Sequence, residues 1–175
     1  MAKSKKEYLF VDGYNIINAW KELKDISTIS LEVARNRLIE IMAEYQAYTN
    51  IRVIIVFDAH LVKGSIEKKE KIYEIEVVYT KENETADGYI EKVLDSIGRH
   101  KKVRVATSDW AEQQIVLGRG GTRVSARELK IEIENIKAYI ERKSKTKKKE
   151  EEIKNKLMNR LDKDIIKKLE KIRKN

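Results

Sequence analysis

The chain has 175 residues with no cysteine and only two histidines, which excludes a disulfide framework and a thiolate metal site and argues against a histidine-rich zinc site. Hard, oxygen-ligated cations such as Mg²⁺ or Mn²⁺ suit the available side chains better. The net charge of +9 comes entirely from residues 136–175, which contain 16 Lys and Arg and 7 Asp and Glu. Residues 1–135 contain 22 basic and 22 acidic residues and are therefore neutral. Such a basic extension favours polyanionic partners, of which nucleic acid is the most obvious.

The first half of the chain combines buried-strand patterns with one amphipathic helix. Tyr8–Asp12 is a short apolar run that ends in a carboxylate, which predicts a strand. That run is too short for a signal-peptide core, and no stretch approaches the roughly 20 apolar residues of a membrane span, so we expect a cytoplasmic protein without a membrane partner. Apolar residues three or four positions apart predict a helix over Ser30–Tyr48. Arg52–Asp58 is the clearest buried strand of the chain.

The second half continues the alternation of strands and helices. The predicted elements are, in order, a strand at Ile75–Tyr79, a helix at Thr85–Ile97 that Gly98 ends, a strand at Lys102–Thr107, a helix at Trp110–Leu117 that Gly118 ends, and a short strand at Thr122–Ser125. This alternation implies right-handed crossovers and an α/β fold with a mainly parallel central sheet flanked by helices. In such sheets the ligand binds outside the carboxyl ends of the strands.

The last part of the chain has a different pattern. A capping box at Ser125–Glu128 starts a helical stripe, the lysine-rich segment Lys143–Lys149 interrupts it, and apolar residues at helical spacing resume from Ile153 to Ile172. The pattern predicts either a basic amphipathic hairpin arm or a long helix with a hydrophilic middle. We therefore expect an α/β domain over residues 1–142 and a basic amphipathic helical extension over residues 143–175.

Four carboxylates fall at strand ends or in the first turn of a helix, namely Asp12, Asp58, Asp87 and Asp109. Hydrolysis of a phosphodiester by divalent cations needs several carboxylates, because each hard cation takes about six oxygen ligands. Asp12 also fits the role of a helix N-cap, but Gly13 and Asn15 beside it favour a site, since glycine permits close backbone approach and Asn15 adds a polar group. Asp58 is open to three interpretations, a ligand, an outer-sphere partner or a structural turn acid.

Two further acidic segments have both a structural and a functional interpretation. Glu84 and Asp87 are three residues apart, which places them on one helix face, where they line the site or only complement the helix dipole. After the fourth strand, either Ser108 caps the Trp110 helix while Asp109 faces the metal, or Asp109 is itself the cap. We favour Asp109 as a site residue and keep Glu84 and Ser108, with Asp58, as additional candidates.

Arginines and aromatic residues provide the candidate RNA contacts. Arg119 and Arg123 flank two glycines in a loop whose N–H groups and guanidiniums suit phosphate, although a solvated loop is an equal alternative. Tyr14, Trp20 and Trp110 have the chemistry to stack on bases. Such aromatics more often complete a core, so only Tyr14, beside the acids, is predicted to contact RNA.

Five segments together carry a family resemblance. They are Phe10–Ile17 (FVDGYNII), Val56–Ala59 (VFDA), Glu84–Asp87 (ETAD), Thr107–Asp109 (TSD) and Ser125–Leu129 (SAREL). In order and spacing this set resembles the YacP-like NYN-domain proteins, which are bacterial relatives of PIN nucleases. The resemblance covers roughly residues 7–140, and the lysine-rich arm beyond residue 143 is longer than the family pattern leads us to expect.

The resemblance implies a PIN-like fold and a Mg²⁺- or Mn²⁺-dependent endoribonuclease. It implies that Asp12, Asn15, Asp87 and Asp109 line the site, with the three acids as metal ligands. Relatives resemble ribosome-dependent enzymes that enter the A site and cut the translated mRNA, so the Arg119–Arg123 loop and the basic arm would then touch ribosomal RNA.

Two other functions compete with a ribosome-linked endonuclease acting as a monomer. A non-catalytic RNA- or ribosome-binding factor is the main alternative, but a pure binder has no need of clustered anions facing phosphate. A phosphatase or nucleotide-binding enzyme ranks last, since Asp12 is followed by Gly13 and Tyr14 instead of a second acid two residues later, and no glycine-rich phosphate loop follows a strand.

Overall fold

A computed structural model of the chain describes residues 7–59, 63–97 and 101–173. The described elements follow one another as β1 (Glu7–Asp12), α1 (Gly13–Ala19), α2 (Lys21–Ile29), α3 (Leu31–Thr49), β2 (Arg52–Phe57), β3 (Lys68–Ile72), β4 (Ile75–Tyr79), α4 (Ala86–Ile97), β5 (Lys102–Ala106), α5 (Trp110–Gly118), β6 (Thr122–Val124) and α6 (Ala126–Arg173). Gly98, His60, His100 and the chain ends at residues 1–6 and 174–175 lie outside the described residues.

The strands form one sheet in the order β3-β4-β2-β1-β5-β6 among the described residues. β1 pairs in parallel with β2 and β5, β2 with β4, and β5 with β6, while β3 alone is antiparallel. The predicted α/β fold with a mainly parallel sheet flanked by helices is therefore confirmed. Every strand predicted from the sequence is present, with ends that differ by at most one residue.

The central strands are apolar because both of their faces are covered. Residues 9–12 of β1 and 53–57 of β2 are all buried. On one face, Phe10, Ile54 and Val56 pack with the apolar side of α4, including Tyr89 and Ile90. This packing fixes the start of α4, and with it Asp87, near the carboxyl ends of the central strands.

A polar cluster joins α3, β5 and the first turns of α6. The Arg104 guanidinium donates to both carboxylate oxygens of Glu132, at 2.7 and 3.1 Å, and the Tyr45 hydroxyl donates to Glu132 at 2.5 Å. Burial, followed by the neighbouring Glu132, raises the pKa of the Tyr45 hydroxyl above its usual range. The three side chains satisfy one another and hold the beginning of α6 against the sheet.

The last helix is continuous from Ala126 to Arg173, so the long-helix form of the two predicted for the arm is observed and the hairpin form is wrong. The chain divides into two compact units, residues 1–133 and 134–175. The predicted boundary at residue 142 stays a prediction. Within the described residues, no helix combines the length and the apolar character needed to cross a membrane.

Three elements were not predicted from the sequence. α1 and α2 are two short helices that meet at Trp20, whose extended backbone breaks the helical pattern. β3 is a charged edge strand joined to β4 through Tyr73 and Glu74, both with positive φ. Charged residues suit an edge strand because they oppose pairing with other chains.

Candidate active site

The candidate site lies where the parallel strands end. Asp12 is the last residue of β1 and pairs in register with Val56 of β2, two residues before Asp58. On the other side of β1, Val11 pairs with Ala106 of β5, three residues before Asp109. Asp87 enters from the first turn of α4. The topology therefore brings the four predicted carboxylates to one edge of the sheet, as expected for a ligand site in such a fold.

Asp12 is buried and has a raised pKa. Its side chain is buried, with 8 % of the residue exposed. Burial raises the pKa of Asp12 to about 6, a backbone hydrogen bond from Asn15 opposes the rise, and the negative charges of Asp87, Asp58 and Asp109 add to it. The other three carboxylates are thus close enough to act on the charge of Asp12.

The local structure around Asp12 follows from its neighbours. Asp12 is the N-cap of α1, since its carboxylate accepts from the backbone N–H of Asn15 at 3.3 Å. Gly13 lies so close to the ring of Phe57 that a Cβ atom there would overlap the ring. The predicted need for glycine at a close approach is explained by this contact. The capping role of Asp12 is confirmed, and its role in a site stays a prediction.

Asn15 connects two of the strand ends. Its side-chain oxygen accepts from the backbone N–H of Ser108 at 2.6 Å, which ties α1 to the loop after β5. The Ser108 hydroxyl in turn accepts from the backbone N–H of Ala126 at 3.4 Å, at the start of α6. The Ser108 hydroxyl thus contacts the first N–H of α6, whose N-cap is Ser125, since the Ser125 hydroxyl accepts from the Glu128 N–H at 3.1 Å. The alternative in which Ser108 caps the Trp110 helix is wrong.

Asp109 is itself the cap of α5. Its carboxylate accepts from the backbone N–H of Ala111 at 2.8 Å, and its own N–H donates to the hydroxyl of buried Thr107 at 3.1 Å. The buried side chain of Gln113 donates to the Thr107 carbonyl at 2.8 Å and holds the turn from inside. Sequence reasoning missed Gln113, because one polar residue in a short helix gives no periodic signal.

Asp58 connects β2 with α4. Its carboxylate accepts from the backbone N–H of Ala86 at 3.4 Å, next to Asp87. Buried Thr80 reinforces this connection by accepting from the Ala59 N–H at 2.9 Å and donating to the Glu84 carbonyl at 2.7 Å. These bonds hold the start of α4 against the end of β2.

Glu84 is oriented differently from the prediction. It lies two residues before α4 begins, so the predicted helix face shared with Asp87 is wrong. One carboxylate oxygen accepts from the Lys92 ammonium at 2.7 Å, and the other is buried without a hydrogen-bond partner in the described part of the chain. Thr85 takes the capping role instead, accepting from the Gly88 N–H at 3.1 Å.

The donor set suits a hard divalent cation, because it consists of carboxylate oxygens whose repulsion a cation would relieve. Across residues 7–59, 63–97 and 101–173, however, no group of three or more His, Asp or Glu side chains is arranged to hold one ion. Asp12 and Asp109 direct oxygens at helix N–H groups in this structure. The acids are thus electrostatic neighbours that are not arranged as ligands of one ion.

Tyr14 belongs to an aromatic cluster beside the acids. The centroid of its ring lies 5.1 Å from that of the Phe57 ring. The Phe57 ring in turn stacks on Tyr79, with 5.6 Å between the ring centroids. The Arg35 guanidinium donates to the Tyr14 hydroxyl at 2.9 Å. Burial raises the pKa of the Tyr79 hydroxyl, and the positive charge of Arg35 opposes this rise. Sequence reasoning missed Arg35, since a single arginine on a helix is usually solvated.

The two predicted RNA-binding arginines already have protein partners. Arg119 forms ion pairs with Asp95 and with Glu91, both on α4, the latter at 3.4 Å. Arg123 donates to the Gln113 side chain at 3.1 Å. An RNA contact at Arg119 would have to replace these carboxylates, whereas the hydrogen bond of Arg123 is made to a neutral amide.

The two tryptophans lie in opposite environments. Trp20 is buried and donates its ring N–H to the Ala126 carbonyl at 2.8 Å, which confirms its predicted core role. Trp110, the first residue of α5, is 73 % exposed, so the expectation of a core role is wrong for it.

Comparison with known proteins decides the family. The model of the YacP-like NYN domain matches residues 9–174. The chain belongs to the YacP-like NYN family. In Bacillus subtilis (strain 168) the family member described as uncharacterized protein YacP is 54 % identical over 137 residues, which cover 78 % of this chain and 80 % of that protein. The family model also covers the arm, so the prediction that the family pattern stops near residue 140 is wrong.

Solved structures of a family member support the same assignment. The crystal structure of Rae1 (YacP) from Bacillus subtilis superposes with a TM-score of 0.69 at 48 % identity, covering 96 % of this chain and 95 % of that one. A mutant of Rae1 gives a TM-score of 0.66 at 49 % identity over 77 % of this chain and 79 % of that one. NYN domains are a PIN-like nuclease family, so membership indicates a nuclease-type function directed at RNA.

Proposed function

We propose that this protein is a divalent-metal-dependent endoribonuclease that cleaves mRNA in the A site of the translating ribosome. The observation that carries the proposal is the convergence of Asp12, Asp58, Asp87 and Asp109, since burial raises the pKa of Asp12 and the charges of the other three acids add to this rise. Such an arrangement of like charges opposes folding, and it is typical of sites that bind a cation or move a proton.

Asp12, Asp87 and Asp109 are the residues that would hold Mg²⁺ or Mn²⁺, as one or two ions. Such an ion supplies Lewis-acid stabilisation of the phosphate charge and lowers the pKa of water. Ionised Asp12 would attract such a cation to the end of β1, while Asp58 keeps α4 in position through the Ala86 N–H. Glu84 is already paired with Lys92 of α4, so we assign it a structural role in holding this helix and no role in catalysis.

Asn15 acts as a positioning residue in this scheme. Because its oxygen accepts from Ser108, its side-chain N–H₂ group faces away from that bond and is available to donate to a phosphate oxygen. Asn15 also keeps the turn that carries Asp109 next to the turn that carries Asp12. Tyr14, whose ring is tilted against that of Phe57 and whose hydroxyl accepts from Arg35, would contact RNA beside the acids.

The basic arm supports the ribosomal part of the proposal. Residues 136–175 carry all of the net charge of +9, and every residue from 141 to 173 is exposed. Lysines spread along an exposed helix favour the dense phosphates of ribosomal RNA through release of counterions. We propose that this arm, with Arg123 and with Arg119 after exchange of its partners, contacts ribosomal RNA in the cytoplasm, the protein acting as a monomer.

The test compares one labelled mRNA as naked RNA and on translating ribosomes, with Mg²⁺, Mn²⁺ or EDTA. The Asp12→Asn and Asp87→Asn variants are measured beside the parent chain, with Asp25→Asn as the matched surface control. We expect cuts on ribosomes that need the metal, disappear in both site variants and persist in Asp25→Asn. Full cleavage by Asp87→Asn would refute the assigned site.

Two other outcomes would change the function in defined ways. Cleavage of naked RNA would keep the nuclease and remove the ribosome requirement. Ribosome binding that depends on salt but not on divalent metal, without any cleavage, would identify a non-catalytic RNA- or ribosome-binding factor instead.

A further inference from the structure

Trp110 presents a large aromatic surface directly beside an acid of the proposed site. It follows Asp109 in sequence and is 73 % exposed, in contrast to Trp20, which is 5 % exposed. Aromatic side chains of this size mostly bury their surface, and a tryptophan that does not do so is available to a partner with a flat ring. Its position in the first turn of α5 is fixed, because the cap of that helix is Asp109 itself.

Arg35 carries a positive charge beside the aromatic cluster of Tyr14, Phe57 and Tyr79. Within the described residues it donates to the hydroxyl of Tyr14, a neutral group, at 2.9 Å and forms no ion pair with a carboxylate. The contrast with Arg37, two residues later on the same helix, is direct, since Arg37 pairs with Glu40 at 3.1 Å. A guanidinium held by one hydrogen bond keeps most of its donors for a phosphate.

The sheet order separates these two groups. Tyr14 packs on Phe57 at the end of β2, whereas Trp110 follows β5, and β1 with Asp12 lies between those strands. Two strand spacings of about 4.8 Å place the ends of β2 and β5 roughly 10 Å apart, with the acids between them. An aromatic face and a phosphate-binding charge therefore flank the carboxylates on opposite sides.

We propose that a single-stranded RNA segment crosses this edge of the sheet, with one unpaired base stacked on Trp110 and a phosphate bound by Arg35. The inference rests on the proposed nuclease function and narrows its substrate to unpaired RNA. In an RNA duplex, the faces of each base pair are covered by the neighbouring pairs. An exposed indole ring therefore stacks on an unpaired base. Tyr14 positions Arg35 through its hydroxyl.

The test measures binding without cleavage. The full chain carrying Asp12→Asn is titrated against a short fluorescein-labelled oligoadenylate at constant Mg²⁺, with fluorescence anisotropy as the readout. The same titration is made with a duplex RNA of equal length. Trp110→Ala and Arg35→Gln are added to this background, with Tyr48→Ala, an exposed tyrosine of α3, and Arg37→Gln as matched controls. The basic arm is identical in every variant and contributes equally to each.

We expect Trp110→Ala to weaken binding of the single strand by roughly 5- to 100-fold, the usual range for loss of one stacked base, and to leave duplex binding unchanged. Trp110→Phe should recover part of the loss. The affinity falls as the KCl concentration rises, so the slope of log affinity against log KCl concentration is negative. Arg35→Gln should make this slope less steep by about 0.7, the value for one phosphate contact on a single strand, and Arg35→Lys should restore the original slope. The two control variants should match the background chain.

Intrinsic fluorescence gives a second readout. Since Trp20 is buried, quenching by oligoadenylate should come from Trp110 and vanish in Trp110→Ala. Unchanged single-strand affinity in Trp110→Ala, or an unchanged salt slope in Arg35→Gln, would overturn the inference even if the parent chain cleaves RNA. If the parent chain never cleaves but both variants behave as expected, the binding inference stands and the nuclease proposal falls.

Discussion

Replacing Asp12 by Asn should stabilise the folded protein while it removes the proposed activity. Asparagine has nearly the same shape and remains a good helix N-cap, so the bond from the Asn15 N–H is preserved. The substitution removes the charge that is buried at the end of β1 and that repels Asp58, Asp87 and Asp109. Most substitutions of a buried polar residue have the opposite effect on stability.

The size of the effect follows from the pKa of Asp12. Burial, together with the neighbouring acids, raises this pKa from 3.8 to about 6 in the folded protein. One pKa unit corresponds to about 1.4 kcal/mol, so ionised Asp12 costs the fold about 3 kcal/mol at neutral pH. The amide must also be removed from water, which reduces the gain, and we expect an increase of about 1–3 kcal/mol in the free energy of unfolding.

Urea unfolding in EDTA at several pH values measures this increase. Well below pH 3.8, Asp12 is protonated in both states and the two proteins should differ little. As the pH rises from 3.8 to about 6, the unfolded chain loses this proton before the folded one does, so the parent chain loses stability relative to Asp12→Asn. Above about pH 6 the difference should stay constant.

The control is Asp25→Asn, which removes a carboxylate that is exposed and paired with Lys21. Such a surface change should alter the free energy of unfolding by less than about 0.5 kcal/mol at every pH. A less stable Asp12→Asn variant at pH 7.5, or a difference that does not depend on pH, would refute the electrostatic explanation. Added Mg²⁺ should narrow the difference, since it would stabilise only the chain with the intact acid set.

The remaining predictions concern the surroundings of the site. Gly13→Ala should lower the free energy of unfolding by about 1–3 kcal/mol in urea titrations, because its methyl group would overlap the Phe57 ring. Glu132→Gln should lower it by about 1–3 kcal/mol, since Arg104 would lose a doubly hydrogen-bonded carboxylate. Asn15→Ala should reduce kcat for RNA cleavage with little change in circular dichroism, because the bond to the turn before α5 disappears while the helices remain.

Much of the fold could be predicted from the sequence because buried parallel strands leave a plain pattern. Arg52–Phe57 and Ile75–Tyr79 were located to within a residue by their apolar runs. β3 could not be predicted, because Lys68–Ile72 lies at an edge, carries charged side chains and turns into β4 without a glycine. The length of α6 was open, since the lysine-rich interruption is compatible with a helix or with a turn.

The candidate site was predictable only in part, for a different physical reason. Acids at strand ends could be assigned to one edge by topology alone, and the charges of Asp58, Asp87 and Asp109 do act on Asp12. Side-chain partners over long sequence separations could not be foreseen, as with Ser108 and Ala126, or Arg35 and Tyr14. A short helix also has too few residues for its sequence pattern to predict which side chains are exposed.

The double role of the acids determines which substitutions are informative. Asp12, Asp58 and Asp109 each accept from a backbone N–H at the start of a helix, so alanine at any of them removes a cap worth about 1 kcal/mol as well as a charge. Loss of cleavage in an alanine variant would therefore mix a displaced helix with a missing ligand. Asparagine keeps the acceptor and removes the charge alone. If the charge is what the site needs, the asparagine variants at Asp12 and Asp109 will be inactive, and the variant at Asp12 will be at least as stable as the parent chain.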